Sequence, residues 1–204
     1  MVIKVGVLEL QGDFALHHRL LKDMGFDSSS VKKSSDLDIV DGIIIPGGES
    51  TTMSLLIDNF NMHEALVDFG TVNPVMGTCA GLIIMASKVD DERINPLGLV
   101  DITVERNAYG RQIQSVSEPV QFNFSEIDKR ILPTTFIRAP KITNISGDFK
   151  IIGTYKDSPI AILSGHHLCL TFHPELDQID IFHRILFDSS SEVYFKKLDQ
   201  HYAA

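Results

Sequence analysis

Residues 74–87 read PVMGTCAGLIIMAS, an apolar run broken at its centre by Gly77-Thr78-Cys79-Ala80-Gly81. Val75 and Met76 belong to a short buried strand, and Cys79 to Lys88 has the apolar density of a helix. A cysteine flanked by small residues, where strand gives way to helix, has the shape of a nucleophile elbow. The glycines let the backbone take the strained angles that expose the central side chain. A thiolate there would meet the unpaired N–H groups and the positive end of the helix dipole. The N–H of Ala80 would point to where an oxyanion forms. A buried small residue in a glycine-rich turn accounts for the motif equally well, so Cys79 needs a base before it reads as a nucleophile.

The same strand–turn–helix rhythm runs through the first half of the chain. Val2–Leu8 is expected to be a strand, and Gly12-Asp13 to open a helix with Phe14, His17, Leu21 and Met24 near one face. Gly42–Ile45 is a second strand, closed by Pro46-Gly47-Gly48. Ser50 is placed to cap a helix carrying Met53, Leu56, Ile57 and Phe60. Such repetition implies a parallel sheet with helices on its faces, an α/β fold. The second half is richer in strands, expected at Leu99–Glu105, Val120–Phe124, Thr135–Arg138, Lys150–Tyr155, Ile160–Leu163 and His167–Phe172. A helical C-terminal segment follows, interrupted at DSSSE (188–192). No linker or internal repeat divides residues 1–204, so one domain is expected. Ligands of such sheets bind outside the carboxyl ends of the strands, where loops 46–51, 77–81 and 173–176 fall.

Composition narrows the function. The 204 residues carry a net charge of −9 with no block of Lys or Arg, which argues against a nucleic-acid or anionic-membrane surface. The N-terminal MVIKVGVLEL is broken by Lys4 and Glu9 and lacks a cleavage signal, so it reads as a strand. The uncharged run from Phe69 to Ser87 is a poor membrane span, because Gly, Pro, Asn and Thr lie within it. A cytoplasmic protein is expected. Its two cysteines, Cys79 and Cys169, suit a reducing compartment better than a disulfide scaffold.

The base is found in LTFHPEL (170–176). Pro174 biases His173 to an extended backbone, and i, i+2 alternation would set Glu175 beside it. The carboxylate can then bind one ring nitrogen and leave the other for the thiol proton. His17, His18, His63, His183 and His201 lie in polar or helical settings and read as solvated. His166 and His167 could join His173 at a metal, but no second cluster at ligand spacing supports that. Cys169 alternates inward in HLCLTF and reads as core.

The loop IIIPGGESTT (43–52) lacks Gly-Lys-Ser/Thr and is no Walker site. Its glycines could instead turn a backbone N–H toward the elbow and complete an oxyanion hole with Ala80. Glu49 could meet a substrate ammonium, and Arg106 or Arg138 a substrate carboxylate. A thiolate between groups for both ends of a zwitterion points to an amino acid with a side-chain acyl group. A surface charge is the alternative account of each of these residues, and on the residues alone it is the favoured one for both arginines.

Together these residues resemble class I (triad-type) glutamine amidotransferases, and within them the glutaminase subunits of ribose 5-phosphate-dependent pyridoxal 5′-phosphate synthases. The similarity runs through VGVLELQGDF (5–14), DGIIIPGGESTTM (41–53), GTCAGLIIMA (77–86), LGLVDITVERNAYGRQ (97–112), TFIRAP (135–140) and TFHPEL (171–176). The elbow and HPE are shared widely among class I glutaminases; LQGDF, PGGEST, VERNAYGRQ and FIRAP single out the vitamin B6 branch.

The resemblance implies a flavodoxin-like three-layer sandwich with a mostly parallel sheet. It also implies hydrolysis of glutamine to glutamate and ammonia through a γ-glutamyl thioester on Cys79. His173 would be base and acid, Glu175 its orienter, and Gly48 with Ala80 the oxyanion hole. Gly48, Glu49, Ser50, Arg106, Ile137 and Arg138 would contact glutamine, and Gln11 would lie beside the oxyanion region and face a partner. That partner would be a (βα)₈-barrel synthase subunit in a complex of up to twelve of each chain. Neither cofactor nor metal is implied. Two segments depart from the family, the serine-rich FDSSSVKKSSDL (26–37) and the tail DSSSEVYFKKLDQHYAA (188–204). A glutaminase serving another acceptor, such as a histidine-pathway cyclase, and a non-catalytic binding or redox-sensing domain using the same elbow cysteine are the rival readings.

Overall fold

A computed structural model describes residues 3–106 and 115–198. The part of the VERNAYGRQ motif after Arg106, residues 107–112, lies outside the described residues, as do His201 and the last residues of the tail.

The first half builds as the alternation dictates. Strand β1 (Val5–Leu8) leads to helix α1 (Phe14–Asp23), then strand β2 (Ser28–Val31) and a 3₁₀ turn at Ser34–Ile39. Strand β3 (Gly42–Ile45) leads to helix α2 (Ser50–Asn59), helix α3 (His63–Val72), strand β4 (Val75–Thr78) and helix α4 (Ala80–Met85). Strands β5 (Ala86–Val89), β6 (Val100–Glu105), β7 (Val116–Asn123), β8 (Lys129–Phe136), β9 (Lys141–Ile145), β10 (Lys150–Tyr155), β11 (Ser158–Ser164) and β12 (His167–Leu170) follow. Helices α5 (Ile181–Phe187) and α6 (Phe195–Leu198) close the described chain.

A nine-stranded sheet runs β2-β1-β3-β4-β12-β11-β10-β7-β8, and a second sheet runs β5-β6-β9. The large sheet is parallel from β2 through β12 and antiparallel from β12 to β8. Strand alternation sorts the apolar residues to its two faces. Ile43, Ile45 and Cys169 join one core with Met53, Ile57, Leu66 and Leu82 from α2, α3 and α4. Ile44, Met76 and Leu168 join the other with Leu21 of α1 and Phe182, Ile185 and Leu186 of α5. The helices thus cover both faces of the parallel half, and the loops at its carboxyl edge are held from both sides.

Several boundaries differ from the sequence reading. The helix expected over Cys79–Lys88 stops at Met85, because the returning chain takes its last carbonyls: Leu97 N donates to Ile84 O at 2.7 Å and Gly98 N to Ala86 O at 3.1 Å. Residues 86–89 then pair with β6, a tertiary partner that local apolar density cannot announce. Helix α3 went unexpected; Gly70, Thr71 and Val72 are weak helix formers, and its N-cap Met62 makes no side-chain cap. Strand β9 also went unexpected, as only Ile142 of KITNI is buried. Strand β8 lies earlier than expected, which leaves Ile137 and Arg138 in the loop that crosses to β9. Serine-rich β2 is a four-residue edge strand. The tail breaks as anticipated: Asp188 takes Arg184 Nη1 and the Ser190 hydroxyl where α5 ends. Among the described residues, no helix is long and apolar enough to cross a membrane.

Candidate active site

Cys79 is the N-cap of α4 with φ 48°, a left-handed backbone that a non-glycine residue adopts only under constraint. The constraint is visible on both flanks. A Cβ at Gly81 would lie 1.9 Å from the Ile45 carbonyl oxygen, and one at Gly77 2.6 Å from Met85 Sδ. Only glycine lets α4 pack so closely on the ends of β3 and β4. The Cys79 N–H is fixed by Leu170 O at 2.8 Å, which ties the elbow to the neighbouring strand β12. The side chain, 6% exposed, looks into a cavity of about 260 Å³.

His173 reaches the same cavity just beyond β12, and its N–H donates to Thr135 O at 3.0 Å. Its Nδ1 lies 2.7 Å from Glu175 Oε1. A carboxylate accepts only, so Nδ1 carries a proton in either charge state and Nε2 is the nitrogen left to exchange a proton with the thiol; Nε2 has no hydrogen-bond partner among the described residues. The contact forms in a turn rather than by the alternation expected of an extended segment, for Leu176 N donates back to His173 O at 3.2 Å. Burial disfavours charge on His173, but Cys79 and Glu175 outweigh it and raise its pKa to about 10. In the resting state Cys79 Sγ lies 3.7 Å from the Ile137 carbonyl oxygen. Catalytic hydrogen bonds are commonly loose before substrate binds. A Cβ at Gly47 would come within 2.2 Å of His173 Cε1, so the glycine loop lies flat against the imidazole.

The cavity takes in every sequence-predicted contact residue except Ala80 and Glu175, and adds Asp13 and Ile83. Ala80 is the first residue of α4, and its N–H has no intrahelical acceptor. Glu175 stands behind the imidazole, 3% exposed. Gln11 reaches across to the glycine loop, where its Oε1 accepts from Glu49 N at 3.0 Å. Asp13 escaped the sequence reading as a site residue. Its N–H donates to Gly47 O, and its carboxylate, half exposed, lies 3.9 Å from His173 Nδ1. The signal was its position directly after the Gly12 turn. Asp13, His173 and Glu175 are close enough to share a cation, but His173 Nδ1 cannot coordinate while it donates to Glu175.

The rim differs from the expectation in two ways. Glu49, not Ser50, caps α2. Its carboxylate accepts from Thr51 N at 3.2 Å, Thr52 N at 2.7 Å and both threonine hydroxyls; Ser50 is the first helical residue. Burial opposes the Glu49 charge, yet these donors hold its pKa down at about 2. Glu49 also receives Arg106 Nη2 at 3.1 Å, while Arg106 Nη1 pairs with Asp91. Both groups expected to meet a zwitterion are therefore partly engaged with each other. Arg138, exposed and at φ 44°, is the cavity-lining cation with no carboxylate partner among the described residues.

Two histidines read as solvated are fully buried. His17 on α1 and His183 on α5 face each other, His17 Nδ1 to His183 Nε2 at 3.0 Å. Helical periodicity had placed His17 on the apolar face of α1, and its polar neighbours obscured that. His18 and His63 are only partly exposed; His18 bonds Glu9 and Ser28, and His63 bonds Pro96 O. His166 bonds Gly70 O, and His167 starts β12. His173 lies beyond the other end of that strand, roughly 20 Å away by strand rise, too far for a shared metal. Cys169 is core as expected, with burial pushing its thiol up to about 12.

Comparison with known proteins bears on this geometry. A model of the SNO glutamine amidotransferase family matches residues 7–189. The pyridoxal 5′-phosphate synthase subunit PdxT of Brevibacillus brevis is 40% identical over 191 residues, 93% of this chain and 98% of that one. The protein of the same name from Thermosipho africanus is 41% identical over 177 residues, 86% and 93% of the two chains. A solved structure described as a glutamine amidotransferase superposes with a TM-score of 0.81 at 33% identity, covering 89% of this chain and 96% of that one. The structure of PurLQS from Thermotoga maritima shares the fold at a TM-score of 0.64 and 18% identity, covering 98% and 97%.

Proposed function

The chain belongs to the SNO glutamine amidotransferase family, and on that footing we propose how its cavity turns over glutamine. The protein is the glutaminase subunit of a pyridoxal 5′-phosphate synthase: it hydrolyses L-glutamine to L-glutamate and ammonia and delivers the ammonia to a synthase subunit in vitamin B6 biosynthesis. Cys79 is the nucleophile, His173 the acid and base, and Glu175 the residue that orients the imidazole. The observation that carries this assignment is a cysteine at φ 48° sharing a cavity with a histidine whose far nitrogen a buried carboxylate holds at 2.7 Å.

The Cys79 thiolate adds to the γ-carboxamide carbon, and the resulting oxyanion accepts from the N–H groups of Gly48 and Ala80. Imidazolium His173 protonates the leaving nitrogen, and ammonia departs as the tetrahedral adduct collapses to a γ-glutamyl thioester. Neutral His173 then takes a proton from water, hydroxide adds to the thioester, and glutamate leaves as the thiolate returns. Its raised pKa suits the first half, which needs the imidazolium in hand. Arg138 receives the α-carboxylate, a role supported by its place on the cavity rim with no carboxylate partner among the described residues. Arg106, held by Asp91 and Glu49, shapes that rim together with Ser50 and the Ile137 backbone. Glu49 contributes through the loop it caps. Gln11, bonded to the same loop, links it to the face where the synthase docks.

The synthase subunit is a (βα)₈ barrel, and up to twelve of each chain assemble. Docking raises an otherwise weak glutaminase activity. The test is glutamate release measured with and without the synthase. A sharp rise on its addition, lost in Cys79→Ala, supports the reading. Equal rates with and without the partner would overturn it.

A further inference from the structure

The catalytic carboxylate has a second oxygen that the triad does not use. Glu175 is 3% exposed, and while Oε1 accepts the hydrogen bond of His173 Nδ1, Oε2 has no hydrogen-bond partner among the described residues. A buried carboxylate oxygen without a donor is costly. The nitrogen set before it is His17 Nε2, at 3.5 Å. His17 is itself fully buried and backed by His183, with ring centroids 5.3 Å apart. The Thr78 hydroxyl, one residue before the nucleophile, lies 3.4 Å from the same His17 nitrogen.

We propose that His17 and His183 are positioning residues, a buried imidazole pair that donates to Glu175 from behind and fixes it against His173. The inference rests on the glutaminase reading above and extends its triad by two residues. The tautomers follow from the partners. Glu175 Oε2 accepts only, so His17 Nε2 carries its proton toward it. His17 Nδ1 is then an acceptor, and the facing His183 Nε2 must donate. The opposite tautomers would turn a ring lone pair on a carboxylate. Both rings are neutral: burial and the neighbouring His183 lower the pKa of His17, and burial holds His183 at about 4 despite the nearby Asp180. A neutral donor steadies Glu175 without cancelling the negative charge that His173 needs. The relay joins α1, α5 and the end of β4, so three elements of the parallel half set one oxygen atom.

The test is steady-state glutaminase kinetics of the full chain in complex with its synthase. His17→Leu removes the donor; His17→Gln returns one near the Nε2 position. We expect His17→Leu to lower kcat about 10–100-fold with KM changed less than about threefold, since Glu175 touches no substrate. His17→Gln should recover most of the loss. Should His17→Leu fail to fold, the comparison passes to His17→Gln and His17→Asn, whose donors sit near Nε2 and Nδ1, with the higher kcat expected for Gln. Wild-type kcat in folded His17→Leu, or equal kcat in the Gln and Asn variants, overturns the proposal. A wild-type complex that releases no glutamate overturns the glutaminase reading and the relay with it, whereas an active wild type with indifferent His17 variants fails the relay alone.

Discussion

Cys79 follows the last residue of β4 and Cys169 lies in the neighbouring strand β12, and their surroundings give them opposite chemistry. Cys169 lies within β12, the central strand of the large sheet, opposite Gly77 in register, with its thiol pushed up to about 12 by burial alone. Cys79 sits two residues beyond that glycine, where β4 ends, the backbone is strained and His173 shares its cavity. Both are buried, so exposure does not separate them. What separates them is the edge of the sheet: past it, loops can bring a base and free N–H groups to a sulfur, while within it strands supply only apolar neighbours. The interior of the sheet gives stability and its carboxyl edge gives reactivity.

The sharpest way to break this contrast is to remove each sulfur in turn. In the complex with the synthase, Cys79→Ala should lower glutamate release by at least about 10⁴-fold, while Cys169→Ala keeps activity within about threefold and loses about 1 kcal/mol of stability, read by denaturant unfolding. Next comes Glu175→Gln, which leaves the cavity intact but lets a carboxamide N–H face His173 Nδ1. A fall in kcat of about 10³–10⁴-fold is expected by analogy with other triads. At the rim, Arg138→Ala should raise KM for glutamine about 10–100-fold, the worth of a charge-assisted contact, with a smaller change in kcat.

The smallest effects are in stability against pH, and they divide along the same line. His173 at the edge has its folded pKa raised to about 10 from 6.5, so its contribution is complete below pH 6.5 and lost as pH rises through 10. The interior histidines behave oppositely. His167 and His183, at about 4, stay neutral while the unfolded chain takes up protons, so stability declines as pH falls from about 6.5 toward 4. Melting temperatures should therefore peak between these limits, at about 2–4 °C for each kcal/mol lost. His167→Leu should flatten the acid limb and leave the alkaline limb unchanged.

The same division governs how much was legible from the residues. The elbow, the HPE turn and the glycine loop announce themselves because each is a short run of the residue types its chemistry needs, even though the contact that demands Gly81 is the Ile45 carbonyl of another strand. The strand β5 and the early end of α4 were hidden, since they depend on a segment returning from Leu97. The burial of His17 and His183 was hidden for the same reason: neither ring has a local partner, and α1 and α5, far apart in sequence, meet only where both pack on one face of the sheet. Glu49 took the cap from Ser50 because its longer side chain reaches two amides and two hydroxyls, where a serine reaches fewer. The arginines could be named from sequence, but not ranked. Only the fold shows Arg106 committed to Asp91 and Glu49, and Arg138 without a carboxylate partner among the described residues.

The γ-glutamyl thioester is covalent and can be trapped and weighed. The complex is mixed with glutamine, quenched in acid within the first turnovers, and its peptides are weighed. A γ-glutamyl group is expected on the Cys79 peptide, absent from Cys169 and absent in Cys79→Ala. Turnover of glutamine with no acyl group on Cys79 at any quench time, or with one on Cys169 instead, would contradict it.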